Sequence, residues 1–143
     1  MSSRKQIGEH IALAMQELIA SAVLTNERIA RSIGLNVVDF QTYGVLVRRG
    51  EPMTPGQVAE ATGLPSSTTT RVLDRLEAKG LVERRPDAAD RRKTWVHAHP
   101  FDDERVTAEY ASILQRMDRV HARYTVAELQ TVLRYLNEIK DLG

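Results

Sequence analysis

Apolar residues recur at helical spacing towards both ends of this 143-residue chain. The first stripe predicts an amphipathic helix over residues 5–32 that ends near Gly34, with Ile7, Ile11, Ala14, Leu18 and Ala22 on one face. A second stripe, spaced by alternating intervals of four and three residues, predicts another long helix containing Val106, Tyr110, Ile113, Met117, Val120 and Tyr124. A capping box at Thr125 and Glu128 then opens a last helix with Leu129, Leu133 and Leu136.

Two shorter helices are predicted in the middle of the chain, after a helix that is capped by Asn36 and ends at Gly50. The first of the two begins with the N-cap Thr54, the proline Pro55 and the capping-box glutamine Gln57. Gly63 ends this helix after about two turns. The chain restarts at Pro65-Ser66, and the second helix stops at Lys79-Gly80. Its apolar positions Val72, Leu73 and Leu76 are expected to face the core.

Residues 81–98 have the pattern of a β-hairpin. Residues 81–85 and 93–98 are rich in strand-forming types, and the intervening residues 86–92 have turn chemistry at Pro86-Asp87 and Asp90. Two short helices followed by a hairpin predict a winged helix-turn-helix, which is a fold that binds duplex DNA. Arg91 and Arg92 near the hairpin tip are expected to reach an adjacent minor groove.

The second short helix supplies the candidate base contacts. Hydroxyls suit phosphates and base edges, and arginine suits bidentate contact with guanine. The candidates at the N-terminal end and on the exposed face are Ser66, Ser67, Thr68, Thr70, Arg71 and Arg75, and at least one of the two arginines is expected to contact a base edge. The alternative is that the hydroxyls only cap the helix and the arginines only solvate it. The hairpin beside the helix favours DNA.

The distribution of charge supports this interpretation. Residues 65–93 contain eight Lys and Arg against five Asp and Glu, whereas the whole chain contains 20 against 19. The remainder therefore has 12 against 14, so the positive charge is concentrated where the motif lies. A modest excess of this kind predicts DNA binding that weakens with salt.

The segment from Ser66 to Arg84, together with Asp90-Arg91-Arg92, resembles the MarR family of bacterial winged helix-turn-helix regulators. The specific pattern is TRxLDRLxxxGLVxR followed by DxR. The resemblance implies a homodimer on a pseudo-palindromic operator, usually a repressor that a small aromatic or phenolic effector relieves. It also implies that Arg92 either enters the minor groove or braces against Asp74, which leaves Arg91 for the groove or the DNA backbone.

Two aromatic residues are candidates for an effector pocket, Tyr43 and Trp95. Trp95, the sole tryptophan, either lines a pocket between the wing and the dimer helices or packs the wing onto the body of the protein, and packing is favoured.

Other chemistry is weakly indicated. His97 and His99 have the spacing of metal ligands on a strand, but no third or fourth ligand is evident and Asp102 or Asp103 is better interpreted as a helix cap, so no metal site is predicted. The chain has no cysteine, which excludes disulfides and a cysteine-based peroxide switch. No catalytic constellation or cofactor is predicted. No segment is expected to reach membrane-spanning length and no signal peptide is evident, so a cytoplasmic protein without membrane contact is expected.

The sequence as a whole predicts a mainly α fold, with a two-stranded β wing and long N- and C-terminal dimerisation helices. We expect one domain over residues 1–143, with the DNA-binding lobe at about 36–98 and a helical dimerisation region at about 5–33 and 102–142. Long apolar stripes at both ends exceed what a slim winged module can cover, which favours contact between two subunits. The predicted function is sequence-specific regulation of transcription on double-stranded DNA. The alternative is a non-enzymatic winged-helix module that binds protein.

Overall fold

A computed structural model describes all residues from Met1 to Gly143. The chain contains six helices and two strands, in the order α1 (Arg4–Ser32), α2 (Val37–Arg49), α3 (Pro55–Thr62), α4 (Ser66–Ala78), β1 (Val82–Pro86), β2 (Thr94–Ala98), α5 (Glu104–His121) and α6 (Val126–Lys140). It forms two compact units, Met1–Pro100 and Phe101–Gly143. The mainly α fold with a two-stranded β wing is confirmed.

Side-chain caps fix most helix starts where the sequence predicted them. Capping boxes open α3 at Thr54 and α6 at Thr125, and Asn36 and Asp103 accept backbone hydrogen bonds at the starts of α2 and α5. Gly63 ends α3 in the left-handed conformation with φ of 71°, which a residue with a Cβ rarely adopts. The start of α4 differs, because its N-cap is Pro65 and no side chain caps it.

The first unit has a continuous apolar core in which α2, α3, α4 and the wing meet. The strands β1 and β2 pair antiparallel with Arg84 opposite Val96, and Met53 adds an isolated bridge to Val96. Several side chains are almost completely buried, among them Ile29, Leu46, Met53, Val58, Val72, Leu73, Leu76, Val82 and Val96. Each large one contributes about 1.5–3 kcal/mol through burial, so this core fixes where α4 and the wing lie.

The helix α1 corrects the expectation that no segment reaches membrane-spanning length. By length and composition it is long and apolar enough to cross a membrane, with a mean hydropathy of 1.3 in a window of which no part is buried. One such helix is weak evidence for a membrane, because a buried core helix of a soluble protein and a signal sequence near the N-terminus share this length and composition. Its large exposed apolar residues are Ile7, Ile11, Leu13, Leu18, Ile19, Val23 and Leu24.

Candidate nucleic-acid interface

The helix α4 has one buried face and one exposed face. Val72, Leu73 and Leu76 are fully buried, as the apolar spacing predicted. Thr70 and Arg71 lie exposed on other sides of the helix, and Arg71 has no hydrogen bond or ion pair within the protein. An exposed guanidinium in the middle of a short, well-anchored helix is available for an external ligand such as a guanine edge.

The N-terminal turn of α4 presents hydroxyl groups. The side chains of Ser66 and Ser67 are exposed and that of Thr68 is half-buried, and none of the three forms a hydrogen bond within the protein. By contrast, Thr69 and Thr70 donate their hydroxyls to the carbonyl oxygens of Pro65 and Ser66, at 3.0 Å in each case. Free hydroxyls at the positive end of a helix are suited to phosphate oxygens.

Arg75 is engaged with the protein rather than pointing freely outwards. Its Nε and Nη2 donate to the two carboxylate oxygens of Asp39 at 2.8 and 2.9 Å. The Asp39 side chain is only 2% exposed, whereas that of Arg75 is 46% exposed. The hydrogen bonds to Asp39 raise the pKa of Arg75. The helical spacing places Arg75 with the predicted DNA-facing residues. It gives no sign of Asp39 as a partner, because the two residues lie 36 positions apart in the chain.

Asp74 pairs with Arg84 and not with Arg92, the residue that was predicted to brace against it. Arg84 in β1 donates through Nη2 to Asp74, and through Nε to Oε2 of Glu77 at 2.7 Å. Arg92 instead donates to its neighbour Asp90 at 3.3 Å. Arg84 follows α4 within a few residues and lies half-buried beside it. Its side chain therefore lies close enough to pair with both carboxylates of the helix, Asp74 and Glu77. The wing is therefore attached to α4 by Arg84.

The wing tip is organised around Asp87. One of its carboxylate oxygens accepts the indole Nε1 of Trp95 at 2.7 Å, and the other accepts the backbone amides of Ala89 and Asp90, both at 3.0 Å. The bond from Trp95, followed by those from Asp90 and Ala89, holds the pKa of Asp87 below its usual value. Lys93 lies over the Trp95 ring, 4.9 Å from its centre.

Arg91 and Arg92 occupy a turn instead of an extended strand. The amide of Lys93 donates to the carbonyl of Asp90 at 3.0 Å, so the two arginines lie between the residues that close the turn. Both are exposed, with the Arg92 side chain at 92%. Neighbouring side chains point to opposite sides only on an extended strand, so this turn does not separate the two arginines in that way.

The two candidate pocket residues are separate from each other. Tyr43 is buried, its hydroxyl donates to the carbonyl of His99, and burial raises its pKa. Trp95 is half-buried and lines an open groove of about 420 Å³ together with Arg49, Glu51, Pro52, Gln57 and His97. The indole bond to Asp87 lies within the wing, so Trp95 orders the wing as well as lining the groove.

His97 and His99 are not part of a group of three or more residues that could hold a metal ion. His99 instead lies 3.3 Å from a carboxylate oxygen of Glu83.

Comparisons with known proteins agree with this geometry. Residues 33–93 match the model of the MarR family. The chain is 42% identical over 104 residues to YsmB of Bacillus subtilis, an uncharacterized HTH-type transcriptional regulator, which covers 71% of this chain and 70% of that protein. It is 25% identical over 141 residues to YcgE of the same organism, also an uncharacterized HTH-type transcriptional regulator, with coverage of 99% and 91%.

Solved structures share the fold. A mutant of MepR from a multidrug-resistant clinical isolate of S. aureus superposes with a TM-score of 0.73 at 17% identity, covering 93% of this chain and 97% of that one. A MarR-family transcriptional regulator from Silicibacter pomeroyi superposes with a TM-score of 0.64 at 22% identity, covering 88% and 84%. With its exposed α4 and its wing, this chain belongs to the MarR family and is a DNA-binding transcriptional regulator.

Proposed function

We propose that the protein regulates transcription by binding a specific, two-fold symmetric operator as a homodimer. In each subunit α4 enters the major groove and the wing tip follows the adjacent minor groove. The observation that carries this proposal is the state of Arg71, which is exposed and unpaired beside the free hydroxyls of Ser66 and Ser67. The other charged side chains of α4 already have partners within the protein.

The contacts divide by chemistry. The hydroxyls at the N-terminus of α4 hold phosphates and set the register, whereas Arg71 contacts a guanine edge and supplies sequence preference. At the wing, Arg91 has no partner within the protein and Arg92 has only Asp90. Both are free to enter a narrow minor groove, which favours A·T-rich flanks without base-specific hydrogen bonds.

Selection of bound sequences from random duplexes tests this function. We expect a two-fold symmetric sequence with half-sites about one helical turn apart. Replacing Arg71 by Ala should cost about 1–3 kcal/mol and relax preference at one position in each half-site. A uniform loss over all sequences would reduce Arg71 to a phosphate contact. Failure of the wild-type protein to select any duplex would favour the protein-binding alternative.

The homodimer is supported by apolar residues exposed on three helices. In addition to those of α1, these include Leu114, Met117 and Val120 on α5 and Val132, Leu133 and Leu136 on α6. Surface of this extent is typical of an interface, and we assign a second copy of the chain to it. The same assignment accounts for the apolar character of α1 without a bilayer. A stable monomer at micromolar concentration in sedimentation would contradict it.

We further propose that binding represses transcription until a small aromatic or phenolic effector relieves it. The groove beside Trp95 supports this step, because its volume of about 420 Å³ lies in the usual range for small-molecule sites. Arg49 and Gln57 offer polar contacts there. Tyr43 is not among the residues of this groove, and its hydroxyl already donates to His99. Titration with salicylate tests the proposal through the fluorescence of Trp95, alongside operator release. Release of the operator without a change in Trp95 fluorescence would mean that the effector binds at another site.

A further inference from the structure

The salt bridge between Arg75 and Asp39 joins the DNA-facing helix to the body of its lobe. Asp39 lies in the first turn of α2, and its own amide donates to Asn36 at 2.7 Å. Both of its carboxylate oxygens are occupied by Arg75. Two parallel bonds between planar groups fix orientation as well as distance. The salt bridge therefore restricts rotation of α4 against α2.

A cation at the C-terminal cap of α4 strengthens this attachment. Lys79 lies one turn after Arg75, and its Nζ donates to the carbonyl of Gly34 at 2.9 Å, in the turn between α1 and α2. Towards the wing, Arg84 binds Asp74 and Glu77. The charged side chains of α4 and its cap are thus tied to α2, to the turn before α2 and to β1. Among them Arg71 alone has no partner.

Arg75 cannot leave Asp39 without a penalty. A carboxylate that is 2% exposed would be left buried and unpaired if Arg75 turned to a base. Arg71 has no such commitment, since no protein group binds it. The competition between a buried carboxylate and a base edge therefore keeps Arg75 within the protein and leaves base contact to Arg71.

We propose that Asp39 is a positioning residue for operator recognition, although it does not face DNA itself. Acting through Arg75, it sets the orientation in which α4 presents Arg71 to the major groove. Arg71 is then the guanidinium of α4 that determines base preference. This inference rests on the proposed function, because it explains how the operator contact is aligned.

Two variants of the full-length protein test the inference. Asp39→Asn keeps the size of the side chain but removes its charge. The double variant Asp39→Asn with Arg75→Gln removes both charges, so neither charge is left without a partner. Glu60→Gln is the matched control, since Glu60 is an exposed carboxylate of the same lobe without a protein partner. The measurements are affinity for the selected operator, affinity for random duplex, and base preference at each position.

The expected result is a roughly tenfold fall in the ratio of operator to random-duplex affinity for Asp39→Asn, with little further change in the double variant. The preferred bases should stay at the same positions, and the control should keep the wild-type ratio. Circular dichroism at the assay temperature verifies that each variant is folded. A ratio measured on folded protein separates positioning from stability, because a purely structural loss would lower both affinities together.

Two results would overturn the inference. Asp39→Asn could retain the wild-type ratio, or the added Arg75→Gln change could relax preference at one base position, which would make Arg75 a base contact. Wild-type protein that selects no sequence would overturn the proposed function and this inference together. Selection by the wild type with unchanged ratios in the variants would overturn this inference alone.

Discussion

Amphipathic helices in two regions of the chain are buried to different extents. In the lobe, α4 buries four of its 13 residues against α2, α3 and the wing. Towards the C-terminus, α5 buries one of 18 residues and α6 buries none of 15. The sequence patterns of these helices are equally regular. An apolar stripe thus shows that a helix needs a partner surface, and the tertiary structure shows whether the same chain supplies it.

Truncating the core of the lobe should have the largest effect on stability. Leu76→Ala removes a fully buried side chain, and the cavity together with the lost burial should cost about 2–5 kcal/mol. Urea unfolding measures this loss, and the shift in midpoint should be independent of protein concentration. A cost below about 1 kcal/mol would mean that the lobe is not the tightly packed region assumed in the comparison.

Placing a charge on α6 should affect assembly instead of the lobe. Leu133 is 61% exposed in the single chain, so Leu133→Glu should leave the lobe folded. We expect it to weaken the proposed homodimer by at least about tenfold, because a charge buried at an interface without a partner is costly. Sedimentation across a concentration series measures the change, with Glu138→Gln on the same helix as the control. An unchanged dimer would remove α6 from the interface.

Removing the same capping motif in the two regions should change thermal stability with a different dependence on protein concentration. Thr54→Ala removes the cap of α3 and should lower the stability of the lobe by about 1 kcal/mol at every protein concentration. Thr125→Ala removes the equivalent cap of α6. Its effect should depend on concentration, because the proposed homodimer would cover α6. Thermal unfolding of both variants at low and high concentration makes the comparison. Equal concentration dependence would contradict the proposed division.

A local effect of pH is expected at the wing tip. The pKa of Asp87 is lowered by its bonds to Trp95, Asp90 and Ala89, so these bonds stabilise the wing above the usual carboxyl value of about 3.9. This contribution should be lost as the pH falls through the lowered value. Because Trp95 is the sole tryptophan, its fluorescence should report the transition. Asp87→Asn should abolish it, and a transition that persists in this variant would have another origin.

Local signals account for most of the fold that could be predicted. Helix starts depend on a few neighbouring residues, as at Thr54 and Gln57, and the structure confirms these caps. The buried face of α4 also follows from its period, since Val72, Leu73 and Leu76 lie on one side. The expectation that no segment reaches membrane-spanning length was wrong for α1, which is long and apolar enough by length and composition. Its amphipathic stripe did not indicate this.

The partners of charged side chains could not be predicted in the same way. Arg75 and Arg71 are similar on a helical projection, yet one binds Asp39 and the other is free. Arg84, which had no assigned role, takes the carboxylate that Arg92 was expected to bind. Long cationic side chains reach several acceptors, and the choice among them depends on where the body of the protein places each carboxylate.

The order of elements, their caps, the core face of α4 and the family pattern all follow from the amino-acid sequence, because each depends on neighbours a few positions apart. Three contacts emerge only from the packed fold: Asp39 is buried against Arg75, Arg84 ties the wing to α4, and Asp87 organises the wing tip around Trp95. Charged hydrogen bonds are short-ranged and directional. They can be assigned only when packing has fixed the distances between segments that are remote in the chain.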